Sequence, residues 1–303
     1  MPQQVASELA PTGVLRAAIN MGNFLLVTGT SPSGDPEGVA PDMAREVASR
    51  LGVPVAYIPY ARPGELSDAA ESGVWDIGLI GAEPARAEKI AFTSAYVEIE
   101  ATYLVPAGSP LKSLAEVDRA GVRIAVTARS AYDLWLERNI KHAQLVRSEG
   151  GDATFKQFVD EKLDALAGLR PRLLEDVEKL PGARILDGQF SAVQQAVGTA
   201  RKNTAGAAFL RNFVEEAKKS GLVARLIERH NVVGRSRSHS RLSPKCGAPA
   251  TLMTSLVSRV PTTKPSRMVS PRGVLPQPRP MSRVLLAGAK CRAPAAGLQR
   301  ARI

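Results

Sequence analysis

Residues 76–96 restrict what this chain can fold into more than any other stretch. They read Asp76-Ile-Gly-Leu-Ile-Gly-Ala-Glu-Pro-Ala-Arg86-Ala-Glu-Lys-Ile-Ala-Phe92-Thr93-Ser-Ala-Tyr96. The apolar run 77–80 has the length of a buried strand, and Gly81 at its end leaves room for another group to approach the backbone. Pro84 lacks the N–H a strand ladder needs, so the strand stops before Arg86. The arginine therefore lands on a turn just past a strand's carboxyl end, where open α/β sheets place their ligands. A guanidinium there offers a planar fork of donors that matches a carboxylate. The plainer alternative for the same residue is a surface arginine paired with Glu83 or Glu88.

The order Asp, apolar run, Gly, then R-x-E-K-I-x-F-T-x-x-Y resembles the amino-acid-type extracellular solute-binding proteins of bacterial ABC importers, which have the periplasmic-binding-protein type II fold. In that family an arginine seven residues before the hydroxyl of a Phe-Ser/Thr pair clamps the ligand's carboxylate, and Arg86 and Thr93 keep this spacing. Gly38, Asp42, Met43, Val47, Leu51 and Gly52 match a second pattern of the family, and the likeness runs from Gly13 to about Val233. It implies an α/β protein of two lobes, each a mixed sheet flanked by helices, joined by two hinge strands. One lobe would hold 12–104 with 196–233, the other 107–190. It further implies capture of a small carboxylate-bearing solute, an amino acid or related organic acid, by hinge closure. The expected partners are that ligand and the importer's permease subunits; the protein itself is expected to be monomeric and periplasmic. A few proteins of this fold are dehydratases acting on prephenate-like hydroxy acids, and Glu83 is the cleft carboxylate such chemistry would use.

Along the body, 13–19 reads as a first strand, and the loop after it offers Asn23 and Phe24 as ligand contacts, although Phe24 suits a core equally well. Asp42 reads as the cap of a helix with Met43, Val47 and Leu51 at four-residue spacing and Gly52 as its stop. Residues 53–58 are a second strand, 65–72 a short helix, 100–105 and 190–197 the hinge strands. Ser113 with Glu116, and Ser130 with Asp133, each have capping-box spacing. A helix opening at Ser130 turns free N–H groups toward the preceding loop, and such ends favour anions. Thr127, Arg129, Ser130, Ala131 and Tyr132 are therefore ligand candidates beside Gly81, Glu83 and Arg86. In the resembled family the corresponding segment carries a glycine where this chain has Arg129. That family also ends the strand near 163–167 with an aspartate that holds an α-ammonium group. Here the sequence is Gly168-Leu169-Arg170, which speaks against a standard α-amino acid.

The formal net charge of +11 would suggest a polyanionic partner, but its distribution does not. Residues 234–303 carry 14 Lys and Arg with no Asp or Glu, which leaves the rest of the chain slightly acidic. No nucleic-acid partner is therefore expected for the body, and the tail has no aromatic residue to stack on bases. The tail reads as an out-of-frame translation, a disordered appendage or a nucleic-acid arm. It also holds both cysteines, Cys246 and Cys291, so thiolate chemistry and Cys-type metal sites are not expected in the body. No phosphate loop, dinucleotide fingerprint or metal spacing occurs, and the three histidines, His142, His230 and His239, suggest no triad. No cofactor and no metal are expected. Residues 1–11 lack the basic and apolar regions of a signal peptide, so the chain as written would stay in the cytoplasm while the resembled family is mostly exported.

Overall fold

The computed structural model describes residues 2–232 and 301–302; the expectations for the basic tail lie, apart from those last two residues, outside the described residues. A parallel frame comes first. It runs α1 (Gln3–Leu9), β1 (Leu15–Asn20), the ribbon of β2 (Gly29–Thr30) and β3 (Pro36–Glu37), α2 (Val39–Leu51), β4 (Val55–Tyr60), α3 (Pro63–Asp68) and β5 (Ile77–Ala82). β1 lies between β4 and β5 and is parallel to both, as right-handed crossovers through α2 and α3 require. α2 buries Met43, Val47 and Leu51 on one face. It ends where Gly52 adopts a left-handed φ of 71°, a conformation that costs glycine little.

After α4 (Pro84–Ala87) and β6 (Ile90–Phe92), the long β7 (Val97–Val105) carries the chain into a second frame. That frame consists of β8 (Arg123–Thr127), α5 (Ala131–Asn139), β9 (Gln144–Ser148), α6 (Gly151–Asp160), β10 (Ala165–Leu169), α7 (Arg170–Val177) and β11 (Arg184–Ile185). β12 (Ser191–Ala200) then returns antiparallel to both β7 and β5. α8 (Thr204–Lys219) and α9 (Leu222–Arg229) close the first frame, and β13 (Ala301–Arg302) lies parallel to the start of β7. The main sheet runs β4-β1-β5-β12-β7-β10-β8-β9.

The sheet serves two cores. Leu15, Met43, Val97, Ile99, Val197 and Phe213 belong to one, and Tyr103, Val105, Val126, Leu136 and Leu186 to the other. Between them sits a small cluster of Ala101, Ala131 and Val193. β7 therefore changes core partway along its length, and β12 runs from the small central cluster into the first core, as strands joining two lobes do.

Local departures from the sequence reading have physical causes. Asp42 is not a cap: α2 starts earlier, with Gly38 as N-cap, where a Cβ would collide with the Leu26 carbonyl. Inside the helix the buried Asp42 carboxylate instead meets His230 Nε2 at 2.7 Å and ties α9 to α2. Ser113 caps nothing, and only a 3-10 turn, Leu114–Glu116, forms there. Glu116 instead accepts from the Lys112 N–H at 2.5 Å. The strand placed at 163–167 lies at Ala165–Leu169. α1, which the sequence reading left outside the fold, packs Leu9 where Gly206 has no side chain. The Glu8 carboxylate accepts from the Gly206 N–H at 2.7 Å, near the amino end of α8, where negative charge is favoured. Among the described residues no helix is long and apolar enough to cross a membrane.

Candidate ligand-binding cleft

The carboxyl ends of six strands converge on one cavity of about 270 Å³. β1 delivers Asn20, Asn23 and Phe24; β4 delivers Arg62 and Pro63; β5 delivers Gly81 and Arg86. From the other lobe, β8 delivers Thr127, Ser130, Ala131 and Tyr132, β9 Asp152, and β10 Leu169 and Arg172. Val193 and Gln195 of β12 form its floor. Strand ends gather here because parallel strands within a lobe all finish at the same sheet edge.

Arg86 lies at the centre of this geometry. Its side chain is buried, with 3 % of the residue exposed. One guanidinium nitrogen donates to the Gly81 carbonyl at 2.6 Å and another to the Arg129 carbonyl, in the other lobe, at 2.9 Å. Burial draws its pKa down to about 10, with Glu83 opposing the shift and Arg129 adding to it. It keeps its charge at neutral pH. Thr93, whose spacing from Arg86 was part of the motif, is away from the cavity. Its hydroxyl donates to the Ser94 carbonyl and accepts from the Val197 N–H, fastening the segment after β6 to β12.

The start of α5 is the other polar wall. Ser130 Oγ accepts from the Asp133 N–H at 3.0 Å, and Asp133 Oδ2 accepts from the Arg129 N–H at 2.7 Å, a reciprocal pair of caps. Burial pushes the Asp133 carboxyl up in pKa, opposed by the Arg129 N–H and by Arg147. Burial likewise raises the Tyr132 phenol, with Thr127 and Ser130 opposing the shift. The first N–H groups of the helix, Ala131 and Tyr132, have no partner within it. Arg129 turns the chain into α5 with a φ of 57°, the left-handed region where glycine is least strained.

Two sequence candidates are outside the cavity lining. Glu83 is held by Arg138 of α5 at 2.5 Å, and Arg129 forks onto Asp68 of α3 at 2.9 and 2.6 Å. Both ion pairs cross from one lobe to the other, as does Arg62 to Glu149 at 2.5 Å. These three pairs, with the Arg86 bridge, hold the lobes together over the cavity. Asn20, Arg62, Asp152, Leu169 and Arg172 line the cavity without having been singled out as contacts. A readable signal for most of them was position alone, since each closely follows or ends a strand.

The Asp68 pair gives a pH prediction. The Arg129 hydrogen bond holds the Asp68 carboxyl below its ordinary pKa. Its contribution to the closed arrangement is therefore complete above the ordinary carboxylate range and disappears as pH falls through the lowered value. Asp68→Asn should lower the melting temperature slightly at neutral pH, and the gap to wild type should close as the pH falls below the ordinary carboxylate range. Melting curves across that range check it; a gap that widens in acid contradicts the assignment.

Residues 24–232 match a known family. The chain belongs to the bacterial extracellular solute-binding proteins, family 3. Proteins of family 3 are the substrate-binding components of ABC transporters and typically work outside the cytoplasmic membrane. Cyclohexadienyl dehydratase of Pseudomonas aeruginosa is 25 % identical over 159 residues, covering 51 % of this chain and 59 % of the dehydratase. The match thus spans little more than half of that relative. Among solved structures, a mutant arginine-binding protein, ArgBP, from T. maritima superposes with a TM-score of 0.62 at 21 % identity, covering 75 % of this chain and 99 % of that one. The ancestral amino acid-binding protein AncCDT-1, a precursor of cyclohexadienyl dehydratase, gives 0.61 at 21 % identity over 74 % of this chain and 97 % of its own. At these identities the structures establish the shared two-lobed fold of this family 3 protein.

Proposed function

We propose that this family 3 protein captures a small carboxylate-bearing solute between its lobes, by bending at β7 and β12, and presents it to the permease of an ABC importer. One observation carries the reading. Arg86 is a buried cation beside a cavity, and its two hydrogen bonds go to neutral carbonyl oxygens rather than to a carboxylate. A buried charge without a hydrogen-bonded counter-ion is costly, and an anion accepting from the rest of the fork offsets that cost. Ser130 and the free N–H groups of α5 complete the cage from the second lobe, while Gly81, Asn23, Phe24, Thr127, Ala131 and Tyr132 shape it. A periplasmic site of action is in keeping with a family that typically works outside the cytoplasmic membrane.

A thermal-shift screen of small carboxylates against uncharged solutes of similar size, followed by small-angle scattering with the best binder, tests this. Carboxylates should raise the melting temperature and shrink the radius of gyration. Stabilisation by uncharged solutes alone would reject the reading.

The partial likeness to cyclohexadienyl dehydratase motivates a second reading, turnover of a prephenate-like hydroxy acid. Its expected general acid, Glu83, is ion-paired with Arg138 outside the cavity lining, which favours binding over catalysis. Incubating such acids with wild type and Glu83→Gln separates the two: turnover lost in the variant would support the enzyme.

A further inference from the structure

We infer that the solute is a carboxylate without an ammonium group: an α-oxo, α-hydroxy or unsubstituted acid in preference to the α-amino acid. This rests on the reading of the cleft as a carboxylate trap and names the class it selects. An α-amino acid brings an ammonium within two bonds of the carboxylate that Arg86 would hold. That ammonium has three donors and no acceptor, so a closed cleft must supply anionic or carbonyl oxygens to meet it.

Beyond the neutral amides of Asn20, Asn23 and Gln195, the cleft is poorly supplied with them. Among the described residues, Asp152 is the only carboxylate lining the cavity, and its Oδ1 accepts from Arg172 at 2.7 Å. This hydrogen bond is the main reason its pKa lies below the ordinary value. The Gly81 carbonyl receives Arg86, and Ser130 Oγ receives the Asp133 N–H. At the end of β10, Leu169 packs against the apolar cluster of Ala101, Ala131 and Val193. An ammonium beside Leu169 would meet hydrocarbon rather than an anion. An oxo or hydroxyl oxygen at the same carbon accepts hydrogen bonds, which suits the free N–H groups at the start of α5.

Calorimetric titration of the full chain with matched acids tests this. Phenylpyruvate, phenyllactate and phenylalanine form one series; the oxo, hydroxy and amino acids bearing a leucine side chain form another. The oxo or hydroxy acid of at least one series should bind about tenfold or more tightly than its amino counterpart. An amino acid binding as tightly as its oxo and hydroxy counterparts, or more tightly, overturns the inference while leaving carboxylate capture intact. Failure of every acid in a broad panel, with uncharged solutes binding instead, sinks the carboxylate trap and this inference together. Leu169→Asp supplies the missing anion. If it folds by circular dichroism, it should raise amino-acid affinity by about tenfold and weaken the oxo acid; an unchanged preference removes Leu169 from the account. The wild-type comparison stands whether or not that variant folds.

Discussion

Arg86→Ala is expected to abolish the rise in melting temperature given by a carboxylate ligand while leaving the ligand-free midpoint within a few degrees of wild type. The ligand effect is large because truncating one partner of a buried, hydrogen-bonded charge pair costs about 2–5 kcal/mol, at least about thirtyfold in Kd. The ligand-free effect is small because two contributions oppose each other. The variant loses the donors to the Gly81 and Arg129 carbonyls, but it also loses a cation whose burial is unfavourable. Arg86→Lys should fall between, since a lysine keeps the charge and loses the planar fork. Titration of the three proteins with one stabilising carboxylate decides the matter. If the alanine variant binds within threefold of wild type, Arg86 is not the clamp and its bridge between lobes is purely structural.

Arg86 was readable because everything that positions it is local: an apolar run, a glycine, a proline and a turn within ten residues. The same holds for the cap at Ser130, whose partner Asp133 is three positions away. The fates of Glu83 and Arg129 were not readable, because their partners Arg138 and Asp68 are 55 and 61 residues distant. Sequence placed both as candidate contacts, and folding spent them on holding one lobe against the other. Arg172 and Asp152 escaped notice for a related reason, since only packing brings the first turns of α7 and α6 together across 20 residues. Asp42 shows the limit of cap reading. The residue type was right for an N-cap, but Gly38 made an earlier start possible, and a histidine 188 positions away took the carboxylate.

Gly81→Ala should weaken ligand binding by roughly fivefold to a hundredfold, chiefly by holding the lobes apart. A Cβ at this position would stand 2.9 Å from Val193 Cγ1 and 3.1 Å from the Ala131 Cβ. Ala131 begins α5 in the second lobe, so its clash exists only when the cleft is shut, whereas Val193 lies on β12, which pairs with β5 beside Gly81 and stays close in either state. Overpacking of this kind costs about 1–3 kcal/mol, and the share set by Ala131 falls on the closed state alone. A ligand must then work against that shifted equilibrium, and its apparent affinity falls with the population of the competent state. Arg86→Ala removes the attraction itself, whereas Gly81→Ala leaves the guanidinium in place. Saturating ligand should therefore still raise the melting temperature of Gly81→Ala, by less than in wild type, while scattering shows a radius of gyration that contracts little. Full contraction at wild-type affinity would mean that Val193 gives way freely, and that the glycine is needed for some reason other than the fit between the lobes.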